Sequence, residues 1–245
     1  MRTLTDKLKF EYLLDSAVLI EIGGVKALID GLPSDKNSFD LLPEALEEEI
    51  MAGQGEFRGL DCLFFTHCHG DHLSGKKLTA YLERNPMTFV AIPEDAELDF
   101  DRFRRGGTEF LIPQGEVAEV HGGRTASGLE FQYMRTGHLT FHCPEHYAYN
   151  FLEGDTSVIF TGDMDLVKLK MLKGFDKREH AFIFINNVLL WHKRWCDMID
   201  EMGFEGVFIY HVPSEGRDQE GYREKALKCW PENGQHRPNW EILNL

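Results

Sequence analysis

Residues 66–72 (THCHGDH) constrain this chain more than any other stretch. Residues 61–66 (DCLFFT) read as a short buried strand, and helical spacing begins at about Leu73, so the stretch lies where a strand turns into a helix. Four metal-capable side chains, His67, His69, Asp71 and His72, fall within six residues. Imidazole together with carboxylate suits zinc, and also manganese or iron. In an extended segment alternate residues point the same way, so His67 and His69 can grip one ion. Asp71 and His72 sit at the turn and can face a second ion. Gly70 is expected to permit the unusual backbone angles that such crowding requires. The histidines could instead cap the helix and satisfy one another. Burying them without metal, however, leaves polar nitrogens in need of partners, which favours the metal. Cys68, between two inward-facing histidines, is expected to be a packed thiol.

The flanking pattern predicts a mixed α/β fold. Strand-like runs occupy residues 10–14, 17–22 and 26–30, with Gly23 and Gly24 as a hairpin turn. A helix is predicted over 41–51, with Pro43 in its first turn and Gly53 after its end. Another runs from about Leu73 to Arg84 and is stopped by Asn85 and Pro86. Further strands are predicted over 87–92, 116–120, 129–135, 147–153, 157–161, 181–185 and 207–210, with His121, Gly122 and Gly123 in a turn. Helices are expected over 188–202 and 219–229, and an edge strand near Trp240. Strands followed by helices in each half suit an α/β (α+β) layering, with helices covering packed sheets in a four-layer αββα sandwich. Pattern alone does not separate this from other mixed folds. A length of 245 residues is compatible with one domain over 1–245.

Composition narrows the function classes. The formal net charge of −15 disfavours a nucleic-acid partner, because no strong basic patch offsets it. No run of apolar residues is long enough to span a bilayer, and residues 1–14 lack the character of a secretory signal. The five scattered cysteines form no disulfide framework. A cytoplasmic protein without a membrane partner is therefore expected. Oligomeric state is not fixed by the sequence, and a homodimer is compatible with it.

The H-x-H-x-D-H pattern at the end of a buried strand resembles the metal motif of the metallo-β-lactamase superfamily. Other landmarks of that family follow in order. Residues 16–31 resemble its opening β-hairpin, which ends in a structural aspartate, here Asp30. TGHLT supplies His138, FTGDMD supplies Asp163 and FIYHVP supplies His211. The resemblance covers roughly residues 10–215. It implies the αββα fold, with His67, His69 and His138 holding one divalent ion and Asp71, His72 and His211 a second. Asp163 would bridge them, in preference to Asp165, and Asp30 would orient ligands without binding metal.

The activity so implied is a dinuclear hydrolase that uses a metal-bridging hydroxide on a small-molecule ester, lactone, thioester or phosphodiester. Zn2+ is the expected ion, with Mn2+ or Fe as alternatives. Asp71 and His211 carry the catalytic roles in this scheme. His142, His146 and Tyr210 are candidate proton donors, although for His142 and His146, as for His121 and His192, a surface or structural role is the better reading. Segments 32–38, 186–187 and 214–217 should line the pocket, and Arg217 or Lys168 could pair with an anionic substrate. The competing activity is an iron-dependent persulfide dioxygenase, with His67, His138 and Asp163 as a facial triad. An RNA-processing nuclease is disfavoured by the acidic charge.

Overall fold

A computed structural model of the chain describes residues 1–86, 88–140 and 145–243. Among these, two sheets of seven strands each face one another. The first holds β1 (Arg2–Thr3), β2 (Leu8–Leu14), β3 (Ala17–Ile22), β4 (Val25–Ile29), β5 (Cys62–Phe64), β6 (Phe89–Ala91) and β7 (Glu109–Leu111), in that spatial order. The second holds β8 (Val120–Arg124), β9 (Glu130–Arg135), β10 (Tyr147–Glu153), β11 (Thr156–Phe160), β12 (His180–Asn186), β13 (Gly206–Tyr210) and β14 (Trp240–Ile242). Helices α1 (Glu44–Ala52), α2 (Gly75–Arg84) and α3 (Phe100–Arg105) belong to the first half, and α4 (Lys193–Glu201) and α5 (Tyr222–Asn233) to the second. None of these helices is long and apolar enough to cross a membrane.

The layering follows from period-two alternation in strands buried on both faces. In β12, Phe182 and Phe184 enter the inter-sheet core, while Ala181, Ile183 and Ile185 pack outward beneath α4 and α5. In β5, Cys62 and Phe64 face inward, and Leu63 and the following Phe65 face α1 and α2. Phenylalanines dominate the inter-sheet layer, with Phe160 and Phe184 stacked at 4.5 Å and Phe64 edge-on to Phe151 at 4.7 Å. Each sheet is therefore covered on both sides, which gives the expected αββα sandwich.

Several local expectations need correction. The strand expected over 116–120 reduces to one bridge, Val117 to Arg135, and β8 starts at Val120 and runs through Gly122 and Gly123. Those glycines are in a strand because the Phe131 ring covers Gly123, where a Cβ would come within 2.5 Å of it. The helix expected over 188–202 is a 3-10 segment, Asn187–Trp191, followed by α4, with extended backbone at His192 between them. The C-terminal helix starts later than residue 219, because the Asp218 carboxylate accepts the Arg223 and Glu224 N–H groups and so sets its first turn. The segment Leu166–Gly174, not anticipated, forms a 3-10 run with Leu166, Leu169 and Leu172 buried at spacing three, the period of that helix. The sequence pattern likewise does not mark α3 or β7, which are only six and three residues long.

Strand directions bring one set of loops to one end. Strands β4 and β5 are parallel, and β11, β12 and β13 are parallel to one another. β9 and β11 both run antiparallel to β10, so β9 shares their direction. Asp30, residues 65–72, His138, Asp163 and His211 follow the carboxyl ends of these strands, and Asn186 is the last residue of β12, at the end where open α/β sheets form their sites.

Candidate metal centre

The local chemistry starts at the end of β5. The Phe65 N–H donates to the Ala91 carbonyl at 2.9 Å and the Tyr147 N–H to the Thr66 carbonyl at 2.9 Å, so the chain leaving β5 is tied to both sheets. His67, His69, Asp71 and His72 follow in the loop to α2, which is capped by Ser74. Gly70 does not have the role expected of it. It lies outside the left-handed region, and a Cβ there would make only ordinary contact with Ser34 at 3.6 Å. The unusual backbone angles fall instead on Asp15 (φ 53°), Asp30 (φ 49°) and His211 (φ 59°), three non-glycine residues of the site. Such conformations cost free energy and persist only where the surroundings over-determine them.

Metal-capable atoms form two groups, His67, His69 and His138 in one and Asp71, His72, Asp163 and His211 in the other, with the atoms of each group all within 4.8 Å of one another. All seven residues named from the sequence are thus brought together. Asp163 Oδ2 lies 3.7 Å from His72 Nε2, 3.7 Å from His138 Nε2 and 3.5 Å from His211 Nε2, so this one oxygen reaches both groups. Asp71 Oδ2 lies 3.3 Å from His211 Nε2 and 3.6 Å from His72 Nε2. Most of these separations are too long for hydrogen bonds. They match the edge of a coordination polyhedron, since two ligands bound at about 2.0–2.1 Å in a tetrahedron stand about 3.3–3.4 Å apart.

Hydrogen bonds outside the cluster fix the tautomers. His72 Nδ1–H donates to Asp30 Oδ2 at 2.9 Å. Thr66 Oγ1 donates to the same oxygen at 2.8 Å, so His67 Nδ1–H can donate to Thr66 Oγ1 at 3.0 Å. Asp30 Oδ1 accepts the Thr66 N–H at 2.8 Å. Asp30 therefore orients two imidazoles, one directly and one through Thr66, as its place at the end of the hairpin suggested. Asp15 Oδ1 stands 2.6 Å from His211 Nδ1, and the Asp15 carbonyl accepts the His211 N–H at 3.0 Å. Ser16 Oγ donates to the Asp71 carbonyl at 3.1 Å. His138 differs, because the Thr140 N–H points at its Nδ1 at 2.9 Å. Ligation through Nε2 requires the tautomer in which Nδ1–H donates to the Thr140 hydroxyl, 3.0 Å away.

The donor set fits cations. Nε2 of His67, His72 and His138 is buried with no hydrogen-bond partner, an arrangement that costs about 1–3 kcal/mol per group unless a ligand engages the nitrogen. Burial, with repulsion from neighbouring imidazoles, holds His67 well below the ordinary histidine range, and burial also lowers His69. Both imidazoles thus favour the neutral form that a metal donor needs. Burial acts in the same direction on His72 and His211, but the carboxylates of Asp30 and Asp71 around the first, and of Asp15 and Asp163 around the second, outweigh it and raise both. Charges within the tetrad compensate one another, with Asp163 held well below the usual carboxylate range by its imidazole neighbours despite its burial.

The remaining sequence candidates separate clearly. His146 is fully buried behind His67, ring centroids 5.0 Å apart, with Nδ1 2.6 Å from Thr136 Oγ1. Tyr210 belongs to the inter-sheet core and does not face the cleft. His142 lies outside the described residues. His121 stacks on Tyr133 at 5.2 Å and His192 packs on Trp195 at 4.2 Å, both structural contacts. Asp165 caps the 3-10 segment by accepting the Val167 N–H at 3.0 Å, which removes it as a rival to Asp163. Cys68 packs partly buried against the core beneath α1 and α2, and lines a cavity of about 360 Å³ with His69, Asp95 and Glu97.

The cleft over the cluster is lined by Phe39, His138, Leu139, Thr140, Asp163, Asn186, Asn187, His211 and Tyr222. Of the expected loops, residues 186–187 line it, and 32–38 and 214–217 do not. Neither Arg217 nor Lys168 is among its lining residues. Arg217 lines a small neighbouring cavity with Phe39 and Tyr222, and Lys168 stands by Gly137. Nothing in the sequence pattern marks Asp15 or Thr66 as partners of the imidazoles, since their types are ordinary in turns and caps, and Asn186 is expected there only as part of a pocket-lining loop.

Gly162 makes the close packing possible. Its φ is +52°, and a Cβ there would lie 2.7 Å from Thr66 Oγ1 and 2.8 Å from His146 Nε2. Gly162→Ala is expected to cost roughly 2–5 kcal/mol, from a left-handed alanine and from overpacking. The midpoint of denaturant unfolding measures it, and a change under ~0.5 kcal/mol would contradict the described packing.

Among curated proteins, none matches the chain significantly in sequence. Solved structures match it in fold. The diiron β-hydroxylase CmlA from Streptomyces venezuelae aligns with a TM-score of 0.61 at 14% identity, over 98% of this chain and 53% of that one. This chain thus spans about half the length of the hydroxylase. The metallo hydrolase Igni18 from the archaeon Ignicoccus hospitalis aligns with a TM-score of 0.59 at 14% identity, over 91% of each chain. The metallo-beta-lactamase fold protein YhfI from Bacillus subtilis aligns with a TM-score of 0.58 at 16% identity, over 97% of this chain and 96% of that one. A family model described as the metallo-beta-lactamase superfamily matches residues 14–182, a segment that includes Asp30, residues 66–72, His138 and Asp163, and the chain belongs to that superfamily.

Proposed function

We propose that the protein is a dinuclear metal-dependent hydrolase acting on a small-molecule ester, lactone, thioester or phosphodiester. The observation that supports this most is the convergence of seven donor residues with Asp163 Oδ2 facing imidazoles of both groups. His67, His69 and His138 would hold one ion, Asp71, His72 and His211 the other, and Asp163 would join the two sites. The all-imidazole set suits zinc, and the carboxylate-bearing set also accepts manganese or iron. When bound, such a pair lowers the pKa of a water to about 7 and polarises the carbonyl or phosphoryl oxygen of the substrate.

The chain's own residues do the rest. Asp30 and Thr66 decide which nitrogen of His72 and His67 faces inward, and the Asp15 carboxylate stands against His211 Nδ1. Asp71 is placed to orient a water and take its proton, and His211 closes the second site under the Phe39 ring, 4.8 Å away. Phe39 and Tyr222 form an apolar wall over the cleft, and Asp95 and Glu97 border the neighbouring cavity. Those carboxylates and a net charge of −15 favour a small molecule over a polyanion.

Protein purified without added metal is expected to carry about two divalent ions per chain and to hydrolyse a member of an ester, lactone, thioester and phosphodiester panel. Chelation should abolish turnover and Zn2+ or Mn2+ should restore it. Elemental analysis and the panel together decide. A single iron per chain, with oxygen uptake on a persulfide and no hydrolysis, would replace this reading with the dioxygenase one.

A further inference from the structure

Strand β12 contributes none of the seven donors, yet it lies between β11, which leads to Asp163, and β13, which leads to His211. Its last residue is Asn186, buried and opposite Tyr210 in register. Asn186 Oδ1 accepts the Val188 N–H at 3.0 Å. A backbone N–H can only donate, so this bond fixes the orientation of the amide. Asn186 Nδ2 must then face the other way, and it donates to Asp163 Oδ1 at 2.5 Å. The second oxygen, Oδ2, is the one that faces His72, His138 and His211. A carboxylate free to rotate could offer both oxygens to a single ion. With Oδ1 held by an amide, only Oδ2 is presented to the two donor groups.

We infer that Asn186 is a positioning residue that makes Asp163 a one-oxygen bridge between two metal ions. The inference rests on the proposed dinuclear site, and its test reads metal binding, so its failure is distinguishable from failure of the hydrolase assignment. Two variants separate positioning from plain structure. In Asn186→Ser the hydroxyl can still accept the Val188 N–H, as serine does at helix starts, but is too short to reach Asp163. Asn186→Ala loses both bonds.

The experiment titrates metal-free wild type and both variants with Zn2+ against a chromophoric chelator, and records d–d absorption after Co2+ loading. Wild type should bind about two ions per chain. Both variants should bind the weaker ion about 10–100-fold less tightly, with a changed Co2+ spectrum. Asn186→Ser should keep the metal-free unfolding temperature, and Asn186→Ala should lower it. The positioning role is overturned if Asn186→Ser binds both ions like wild type while Asn186→Ala does not, since the cap would then be what matters. It is also overturned if neither variant changes affinity. A wild type that takes up no metal would overturn the dinuclear assignment and this inference together.

Discussion

Asp163→Ala should leave the chain folded but unable to hold a pair of ions, with hydrolysis lowered by about 10³-fold or more, the scale expected when several kcal/mol of transition-state charge stabilisation is lost. The expectation rests on one oxygen. Asp163 Oδ2 stands within 3.7 Å of imidazole nitrogens from both donor groups. Among the described residues no other carboxylate stands within 4.0 Å of imidazole nitrogens from both groups, because Asp71 is so placed only against His72 and His211. Removing Oδ2 takes away the oxygen that faces both donor groups and leaves His72 and His211, both raised, with less negative charge beside them. Elemental analysis should show a loss of bound metal in step with the loss of kcat/KM. Asp165→Ala is the control: that carboxylate caps the 3-10 segment and pairs loosely with Lys168 at 3.9 Å, so metal content and turnover should stay near wild type. An Asp163→Ala protein that kept both ions and full activity would remove the basis for the proposed function.

Asp30→Ala should be the most damaging substitution for stability, by about 3–5 kcal/mol in the metal-free protein. The carboxylate is fully buried and accepts three bonds, from the Thr66 N–H, the Thr66 hydroxyl and His72 Nδ1. Alanine strands all three donors in a dry interior, and it places a methyl-bearing residue at φ 49° without the local hydrogen bonding that lets aspartate and asparagine adopt such angles. A loss of that size is a large share of the roughly 5–15 kcal/mol that holds a domain together. Asp30→Asn should cost less, because asparagine suits the backbone angle and retains one acceptor oxygen. Denaturant unfolding with chelator present measures the stability, and Zn2+ titration measures the consequence for His67 and His72. Equal stability for Asp30→Ala and wild type would mean that the Thr66 and His72 contacts have been misassigned.

The parts of the molecule that were legible in the sequence are those encoded over short distances. The metal loop is one: four donors in six residues where a strand turns into a helix put alternate side chains, His67 and His69, on a shared side and leave Asp71 and His72 at the turn. The hairpin turn at Gly23 and Gly24 is another, since both adopt the left-handed angles that glycine supplies. The αL cap at Gly53 and the stop at Asn85 likewise bounded α1 and α2 to within a few residues. His138, Asp163 and His211 were legible only through their order along the chain and their resemblance to a family pattern. A lone histidine or aspartate after a strand carries no geometric information of its own.

What the tertiary structure decided was which ordinary residues would meet the donors. Asp15 reads as a turn aspartate, and it becomes the partner of His211 because the β2–β3 turn lies at the same end of the sandwich as the carboxyl end of β13. Asn186 reads as a residue of a pocket-lining loop, and it becomes the holder of Asp163 because it ends β12, which pairs in parallel with β11. Helix periods failed where the chain does not follow the 3.6-residue repeat, as in the spacing-three run of Leu166, Leu169 and Leu172 and in the extended break at His192. The physical reason is common to all these cases. Backbone angles, caps and alternation are set by neighbours a few bonds away, whereas pairings between distant strands depend on sheet order, which the chain specifies only as a whole.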